Sequence, residues 1–398
     1  MTMNETNSIN NQIKSILGQF DSSPEYFQTK RDLISSITDK LNSFDFNLSE
    51  YPLVEPTELY VRKSGGEITN SLYSFIDPGG NRVSLRPEFT TSVIRAYLED
   101  KEQYSIPIKR QYVGPVFRYQ PFFNKHSFRQ FTQQGCEIIG LDDISSDALI
   151  LRLSLMSLAE SGMSSVVVKI GHVGFIRQIL KKYDLTDAME LFVLSHLNDL
   201  ADPGFPISDI LDEAYNIGFI SDNHTKKFNS VGNTKWTYES VKSFFNDRLS
   251  ENLGRRTLDQ VIDRFLVKAA EDSITKDTFR SVLNDLSVFI TKNNFVVSQD
   301  ISTESDSTVK NYMDSILEEI GVIENLDVKY KVDFAIQRGL TYYTGLIFDL
   351  EGEGKWTGKT LGGGGRYDGL VKSMGNDINL PAIGFAINIE SILECVKN

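Results

Sequence analysis

Three short clusters of polar and aromatic residues have the types and spacing needed to bind a small polar molecule. The first is Arg86-Pro87-Glu88-Phe89-Thr90, where a strand-like run gives way to a helical pattern. The carboxylate of Glu88 and the hydroxyl of Thr90 can together hold an ammonium group. A helix N-terminus stabilised by an acidic residue near the helix dipole accounts for the same residues. This cluster alone leaves both interpretations open.

The second cluster lies on two strand-like segments that end near Arg118 and Glu137. The two-residue period of a strand puts Phe131, Gln133 and Glu137 on one face. An amide and a carboxylate that point into a cavity can accept N–H groups from a ligand, and Arg118 can hold a carboxylate or phosphate through two parallel hydrogen bonds. An internal hydrogen-bonded network and a solvent-facing sheet surface are the alternatives.

The third cluster joins Arg338-Gly339-Leu340-Thr341-Tyr342-Tyr343-Thr344-Gly345 to the downstream run Leu361-Gly362-Gly363-Gly364-Gly365-Arg366-Tyr367-Asp368-Gly369. Four consecutive glycines let the backbone pass close to a ligand or to another strand. A glycine run by itself is more often a bend. We expect a glycine-rich loop here.

The pattern around the clusters predicts the elements that position them. Helical periodicity covers residues 8–20, 26–44, 88–102 and 145–162. Strand-like runs cover residues 72–76, 83–86, 108–119, 128–140, 328–336, 343–350 and 380–387, the first two forming a hairpin about the turn at 77–81. Alternation in residues 108–119 and 128–140 predicts an antiparallel sheet with one buried face.

The order of these elements predicts an α+β fold with an interruption. Residues 171–325 are helical in pattern, acidic and poor in strand signals. We therefore expect residues 1–170 and 326–398 to form the first and second parts of one core, with residues 171–325 as a helical insertion.

Composition narrows the classes of function. The 398 residues carry a formal net charge of −13, which argues against a surface built to hold nucleic acid. Two cysteines, Cys136 and Cys395, cannot form a disulfide framework and predict a reduced setting. The N-terminus lacks the apolar stretch of a signal peptide, and no segment has the length of a membrane span. We expect a cytoplasmic protein.

All three clusters resemble sequence motifs of the histidyl-tRNA synthetases. Residues 338–345 are similar to their histidine-binding signature, and residues 364–368 to their second signature. Residues 114–118, with Gln133 and Glu137, resemble class II motif 2, and residues 86–90 match their Arg-Pro-Glu-x-Thr element. The motifs occur in the family's order from about Tyr51 to the C-terminus. The resemblance implies a class II aminoacyl-tRNA synthetase-like antiparallel sheet flanked by helices, with a helical insertion.

The resemblance also implies a histidine pocket. In that family three of its side chains bind the ammonium group, two read the imidazole nitrogens, one lines the same pocket, and two face the carboxylate and, in a synthetase, the α-phosphate of ATP. In that order the positions are Glu88, Thr90 and Gln133; Glu137 and Tyr343; Tyr367; and Arg118 and Arg338. No cofactor or metal is expected.

The departures from the family fall on the ATP and tRNA sides. Ser391 stands where motif 3 has a phosphate-binding arginine, a loss that costs about 2–4 kcal/mol of transition-state stabilisation. Gln120 replaces the motif 2 glutamate associated with adenine, and Thr341 replaces the signature aspartate. The loop at 120–127 keeps Lys125 but lacks the family's arginines. No sequence follows for an anticodon-binding domain, so we expect no tRNA recognition.

This pattern resembles the regulatory subunit family of ATP phosphoribosyltransferase. That resemblance implies a homodimer through the motif 1 region, near Pro52 and Pro56, and a hetero-octamer with the short-form catalytic subunit. It further implies a non-catalytic chain that senses free histidine and regulates the first step of histidine biosynthesis. The alternatives are an enzyme that still forms an aminoacyl adenylate and a scaffold with a degenerate pocket.

Overall fold

The computed structural model describes residues 21–61, 71–120, 128–221, 274–296, 306–336, 342–375 and 379–396, with the backbone alone at 221, 252–253 and 256–257. The predicted helix at 8–20 and most of the loop at 120–127 lie outside these ranges. Within the described part, no helix combines the length and apolar character needed to cross a bilayer.

The described residues form twelve α-helices and sixteen strands. The helices are α1 Pro24–Asn42, α2 Thr57–Val61, α3 Thr90–Glu99, α4 Ile144–Ala159, α5 Val173–Leu180, α6 Asp187–Ser195, α7 Leu197–Ala201, α8 Ile207–Asn216, α9 Lys276–Asn293, α10 Ser307–Ile320, α11 Leu370–Ser373 and α12 Ile389–Val396. The strands are β1 Asn47–Leu48, β2 Val54–Pro56, β3 Ser74–Ile76, β4 Arg82–Leu85, β5 Ile108–Phe117, β6 Gln130–Ile139, β7 Ser165–His172, β8 Ile220–Ser221, β9 Asn252–Leu253, β10 Arg256–Thr257, β11 Ile274–Thr275, β12 Phe295–Val296, β13 Asp327–Val332, β14 Leu346–Glu351, β15 Thr360–Arg366 and β16 Ala382–Asn388.

One nine-stranded sheet organises the fold, in the order β1-β5-β6-β16-β15-β14-β7-β13-β12. The central run from β5 to β7 is antiparallel throughout. Parallel pairs join β1 to β5 and β7 to β13. The predicted class, α+β with an antiparallel sheet flanked by helices, is confirmed.

Both faces of the sheet are buried at β6, so the expectation of one buried face is wrong there. Alternate residues of β6 contribute to different cores. Cys136 and Ile138 pack in the core that includes α1 and α4, whereas Phe131 and Ile139 pack in the core that includes α3. The tertiary packing of helices on both sides overrides what the alternation in sequence suggested, because a polar residue can be buried once it has partners.

The glycine run forms a central strand and not the predicted loop. Residues 362–365 belong to β15, which pairs with β14 on one side and β16 on the other. A Cβ atom at Gly364 would lie 2.1 Å from the carbonyl oxygen of Gly384, and one at Gly362 would lie 2.5 Å from that of Ala386. The absence of side chains therefore permits the close approach of β15 to β16.

Several local predictions are confirmed with shifted ends. The hairpin is β3 paired with β4, and it joins β2 in a separate three-stranded sheet. The helix predicted at 26–44 is α1, capped by the hydroxyl of Ser23, which accepts a hydrogen bond from the backbone N–H of Tyr26 at 3.2 Å. The division of the chain at residues 171 and 325 stays a prediction.

The close approach at the glycine strand gives a test. Gly364→Ala should lower the free energy of unfolding by about 1–3 kcal/mol, because a methyl group forces backbone apart in the sheet centre. Gly369→Ala is the control, since its Cβ would meet nothing within 4 Å. Urea unfolding measures both variants. Equal stabilities would contradict the tight β15–β16 packing.

Candidate functional site

A buried carboxylate, that of Glu137, lies at the centre of the candidate site. Strand β6 carries Glu137 toward α3, and three hydroxyl groups surround the carboxylate. Thr90 and Tyr112 donate to its Oε1 at 2.7 and 3.0 Å, and Tyr367 donates to its Oε2 at 2.5 Å. A carboxylate has about four acceptor sites, so these three donors leave capacity for one N–H from a ligand.

The surroundings of Glu137 set its proton affinity. Burial raises the pKa of Glu137 from 4.5 to about 7, and the hydrogen bonds from Tyr367, Thr90 and Tyr112 oppose that rise. Gly384, opposite on β16, gives the carboxylate its space: a Cβ there would lie 1.5 Å from Oε2. Near neutral pH this group can therefore exist in either protonation state.

The Arg-Pro-Glu-x-Thr element lies beside this carboxylate. The backbone N–H of Thr91 donates to both oxygens of Glu88, at 3.3 and 3.2 Å, and the Thr91 hydroxyl also donates to Glu88. Glu88 thus stabilises the start of α3, which is the alternative that the sequence left open. Burial raises the pKa of Glu88, partly offset by Thr91 and Arg118.

Arg118 and Gln133 lie further along the β5–β6 pair. The Nε of Arg118 donates to the carbonyl of Pro87 at 2.9 Å, and its guanidinium lies 5.3 Å from the ring centroid of Phe131. Gln133 is buried, and its Oε1 has no hydrogen-bond partner. A buried acceptor without a donor is costly, so this amide favours a ligand that brings an N–H group.

Both side chains line a cavity of about 550 Å³. Ser391 lies on its wall, where it is buried and its backbone N–H donates to Asn388 at 3.0 Å. Two further cations, Lys355 and Lys359, line the same cavity together with Trp356. Lys359 also pairs with Glu394. Without an acidic residue on the described wall, the cavity favours an anionic group.

Seven of the eight predicted site residues are described, and they fall into connected groups. Thr90 and Tyr367 bond to Glu137, and the ring of Tyr343 lies 5.1 Å from that of Tyr342, which lies 5.7 Å from Tyr367. Arg338 lies outside the described residues, as does Thr341.

Sequence reasoning missed four residues at the site. They are Tyr112, Gly384, Lys355 and Lys359. The two-residue period of β5 could have indicated Tyr112, but the lysines lie just before the glycine run and belong to no motif. In the described part of the chain, no group of three His, Cys, Asp or Glu side chains could hold a metal ion.

A nine-stranded sheet of this order, with polar side chains converging on a buried carboxylate, defines a class II synthetase-like core. The sequence pattern of the histidyl-tRNA synthetase family matches residues 18–205 and 249–392. The chain belongs to this family.

Curated relatives agree with that assignment. The histidine–tRNA ligase of Sulfurisphaera tokodaii is 30% identical over 343 residues, which are 86% of this chain and 65% of the relative. The histidine–tRNA ligase of Methanocaldococcus jannaschii is 27% identical over 94% of this chain and 74% of its own length. The chain thus spans about two thirds of the length of these relatives.

Solved structures share the fold. A protein of Bacillus halodurans, described as an ATP phosphoribosyltransferase regulatory subunit/histidyl-tRNA synthetase, superposes with a TM-score of 0.63 at 20% identity, covering 100% of this chain and 85% of that one. The apo histidyl-tRNA synthetase of S. aureus gives 0.53 at 21% identity, covering 97% and 70%. At these identities the likeness shows the fold alone.

The pKa of Glu137 predicts a pH dependence of stability. Because the pKa is raised in the folded state, the free energy of unfolding should fall as the pH rises from about 4.5 through about 7. Glu137→Gln removes this contribution and leaves that of Glu88. Urea unfolding between pH 5 and 8 should therefore give a flatter pH profile for the variant than for the wild type. Parallel profiles would show that the carboxylate does not titrate in this range.

Proposed function

We propose that this protein is a histidine-binding regulatory subunit of ATP phosphoribosyltransferase. The observation that carries the proposal is the pairing, on one face of β6, of the buried Glu137 carboxylate with the unpartnered Gln133 amide oxygen. The two positions are four residues apart, about 13 Å along the strand. In this proposal, a small zwitterion with a ring N–H has Glu137 as the partner of its ring and Gln133 as a partner at its other end.

Each charged or polar part of histidine has a matching group here. Glu137 accepts the ring N–H, with the rings of Tyr343 and Tyr367 beside the imidazole. Gln133 accepts from the ammonium group, assisted by Thr90 and Glu88 after rearrangement of their present hydrogen bonds. Arg118 faces the carboxylate. Arg338 completes this set by resemblance to the family.

Regulation, and not tRNA charging, is supported by two substitutions on the nucleotide side. Ser391 lies at the cavity where the family's motif 3 has an arginine, and Gln120 lies on the same wall where motif 2 has a glutamate. A buried hydroxyl cannot replace a preorganised cation opposite a phosphate. Histidine would act by binding one arrangement of the regulatory complex more tightly than another.

The proposed assembly contains a homodimer and the short-form catalytic subunit, as a cytoplasmic hetero-octamer. The small sheet beyond Pro52 supports the dimer, because it exposes apolar side chains next to the motif 1 region. These are Leu53, Val54, Phe75 and Ile76. Contiguous exposed apolar groups are typical of protein interfaces.

A second function is favoured by one observation. The cavity beside the histidine site retains three cations, Arg118, Lys355 and Lys359, around Trp356. Such a wall suits an anionic nucleotide, so formation of histidyl adenylate is the alternative activity. Histidine-dependent exchange of pyrophosphate into ATP tests it. Exchange by the purified chain would overturn the purely regulatory proposal.

Calorimetry with free histidine tests the pocket itself. Gln133→Ala should weaken binding roughly 10- to 100-fold, because an ammonium group loses a hydrogen bond with a net worth of about 1.5–3 kcal/mol. Gln134→Ala is the matched control: it lies next in sequence, but its amide bonds to α1 on the other face of the sheet. Equal affinities in the two variants would remove Gln133 from the site.

Reconstitution tests the regulatory role. Addition of this chain to a purified short-form ATP phosphoribosyltransferase should raise its activity, and histidine should then inhibit the complex. The Gln133→Ala variant should still activate the catalytic subunit but require more histidine for inhibition. Histidine binding by the chain together with a failure to activate or bind the catalytic subunit would contradict the proposal.

A further inference from the structure

A buried ion pair lies just outside the candidate pocket, at Arg366, the last residue of β15, which directly precedes Tyr367. The guanidinium of Arg366 donates to Asp147 Oδ1 from Nε at 2.8 Å, and its Nη2 lies 2.6 Å from the same oxygen. Nη2 also donates to the hydroxyl of Ser146 at 2.9 Å, and Nη1 to the carbonyl of Leu141 at 2.9 Å. These contacts fix Arg366 against the N-terminal turn of α4.

A tyrosine from another helix completes this arrangement. The hydroxyl of Tyr312, on α10, donates to Asp147 Oδ2 at 3.2 Å. Its ring is held by edge contacts with His172 at 4.8 Å and Phe175 at 5.9 Å between centroids. Burial raises the pKa of Tyr312, so the phenol keeps its proton and remains a donor. Helix α10 is thereby tied to Arg366 through Asp147.

Arg366 directly precedes the pocket residue Tyr367. Asp368, which directly follows Tyr367, is anchored too. Nη1 of Arg366 donates to Asp368 at 3.2 Å, and Asp368 accepts from the backbone N–H of Ala382 at 3.0 Å. Tyr367 lies between these two anchors, and its hydroxyl reaches Glu137. We propose that Asp147 and Tyr312 are positioning residues of the histidine site, which hold Tyr367 on Glu137 through Arg366. The inference rests on the proposed function.

The arrangement predicts how histidine binding changes when the anchor is loosened. Loss of the Tyr312 hydroxyl leaves Asp147 with one donor fewer in a buried setting, which weakens its hold on Arg366. The Tyr367 hydroxyl is then hydrogen-bonded to Glu137 for a smaller fraction of the time. Because that hydrogen bond holds the pKa of Glu137 down, the pKa rises. Histidine needs the ionised carboxylate, so the acidic decline of binding moves to higher pH.

Other groups around Glu137 stay the same in this experiment. The titratable side chains that act on it are Glu88, Tyr51, Tyr112, Cys136, Tyr342 and Tyr367. Of these, only Tyr367 is joined in sequence to Arg366. A shift in the pH profile therefore reports on Tyr367, whereas general loosening of the fold would weaken binding at every pH alike.

The test compares Tyr312→Phe with Tyr183→Phe in the full chain. Tyr183 also donates its hydroxyl to an aspartate, Asp285, at 2.9 Å, but away from Arg366. Histidine affinity is measured by calorimetry from pH 6 to pH 8.5, with thermal unfolding as a check on the fold. Tyr312→Phe should bind histidine roughly three- to ten-fold more weakly at pH 7, with the acidic midpoint displaced upward. Tyr183→Phe should match the wild type.

The outcomes distinguish a failure of the positioning role from a failure of the proposed function. If the wild type does not bind histidine, the proposed function fails. If it binds and the two tyrosine variants behave alike, the positioning role is overturned and the function stands. A weaker Tyr312→Phe with an unmoved pH midpoint also overturns the positioning role. Asp147→Asn, which removes the charge opposite Arg366, should give a larger displacement in the same direction if it folds.

Discussion

A carboxylate enclosed in protein must find hydrogen-bond donors or take up a proton, and Glu137 at the centre of the main sheet does both in part. Its donors come from separated parts of the chain: Thr90 from α3, Tyr112 from β5 and Tyr367 from the residue directly after β15. The three elements must therefore stay in register for the charge to be tolerated. The site and the sheet that carries it are for this reason one cooperative structure.

The close packing of β15 against β16 makes room for this carboxylate. Gly384 leaves the volume that the Glu137 side chain occupies, and Gly364 lets β15 approach β16 closely enough to bring Tyr367 within hydrogen-bond distance. Side chains at either glycine would separate the strands or displace the carboxylate. Backbone geometry at these positions thus determines the chemistry of the pocket.

Charge is distributed unevenly between the two halves of the site. Around Glu137 the groups are hydroxyls and acids, which suit a ligand with N–H donors. In the neighbouring cavity the charged groups are cations, although Ser391 stands at the motif 3 position. The contrast between the buried carboxylate and this positive wall underlies both candidate functions.

The sequence by itself determined the order of the motifs. It also determined the strands 108–117 and 130–139 to within a few residues and the common face of Gln133 and Glu137, because these depend on local periodicity. It also left Glu88 open between ligand binding and helix stabilisation. The structure shows the Thr91 hydrogen bonds that stabilise the helix, and ligand binding by Glu88 stays a prediction. Tertiary structure decided that the glycine run is a strand, that both sheet faces are buried at β6, and that Tyr112, Lys355 and Lys359 join the site. Each of these depends on contacts between residues far apart in the chain, and no local pattern records which distant segments will pack together.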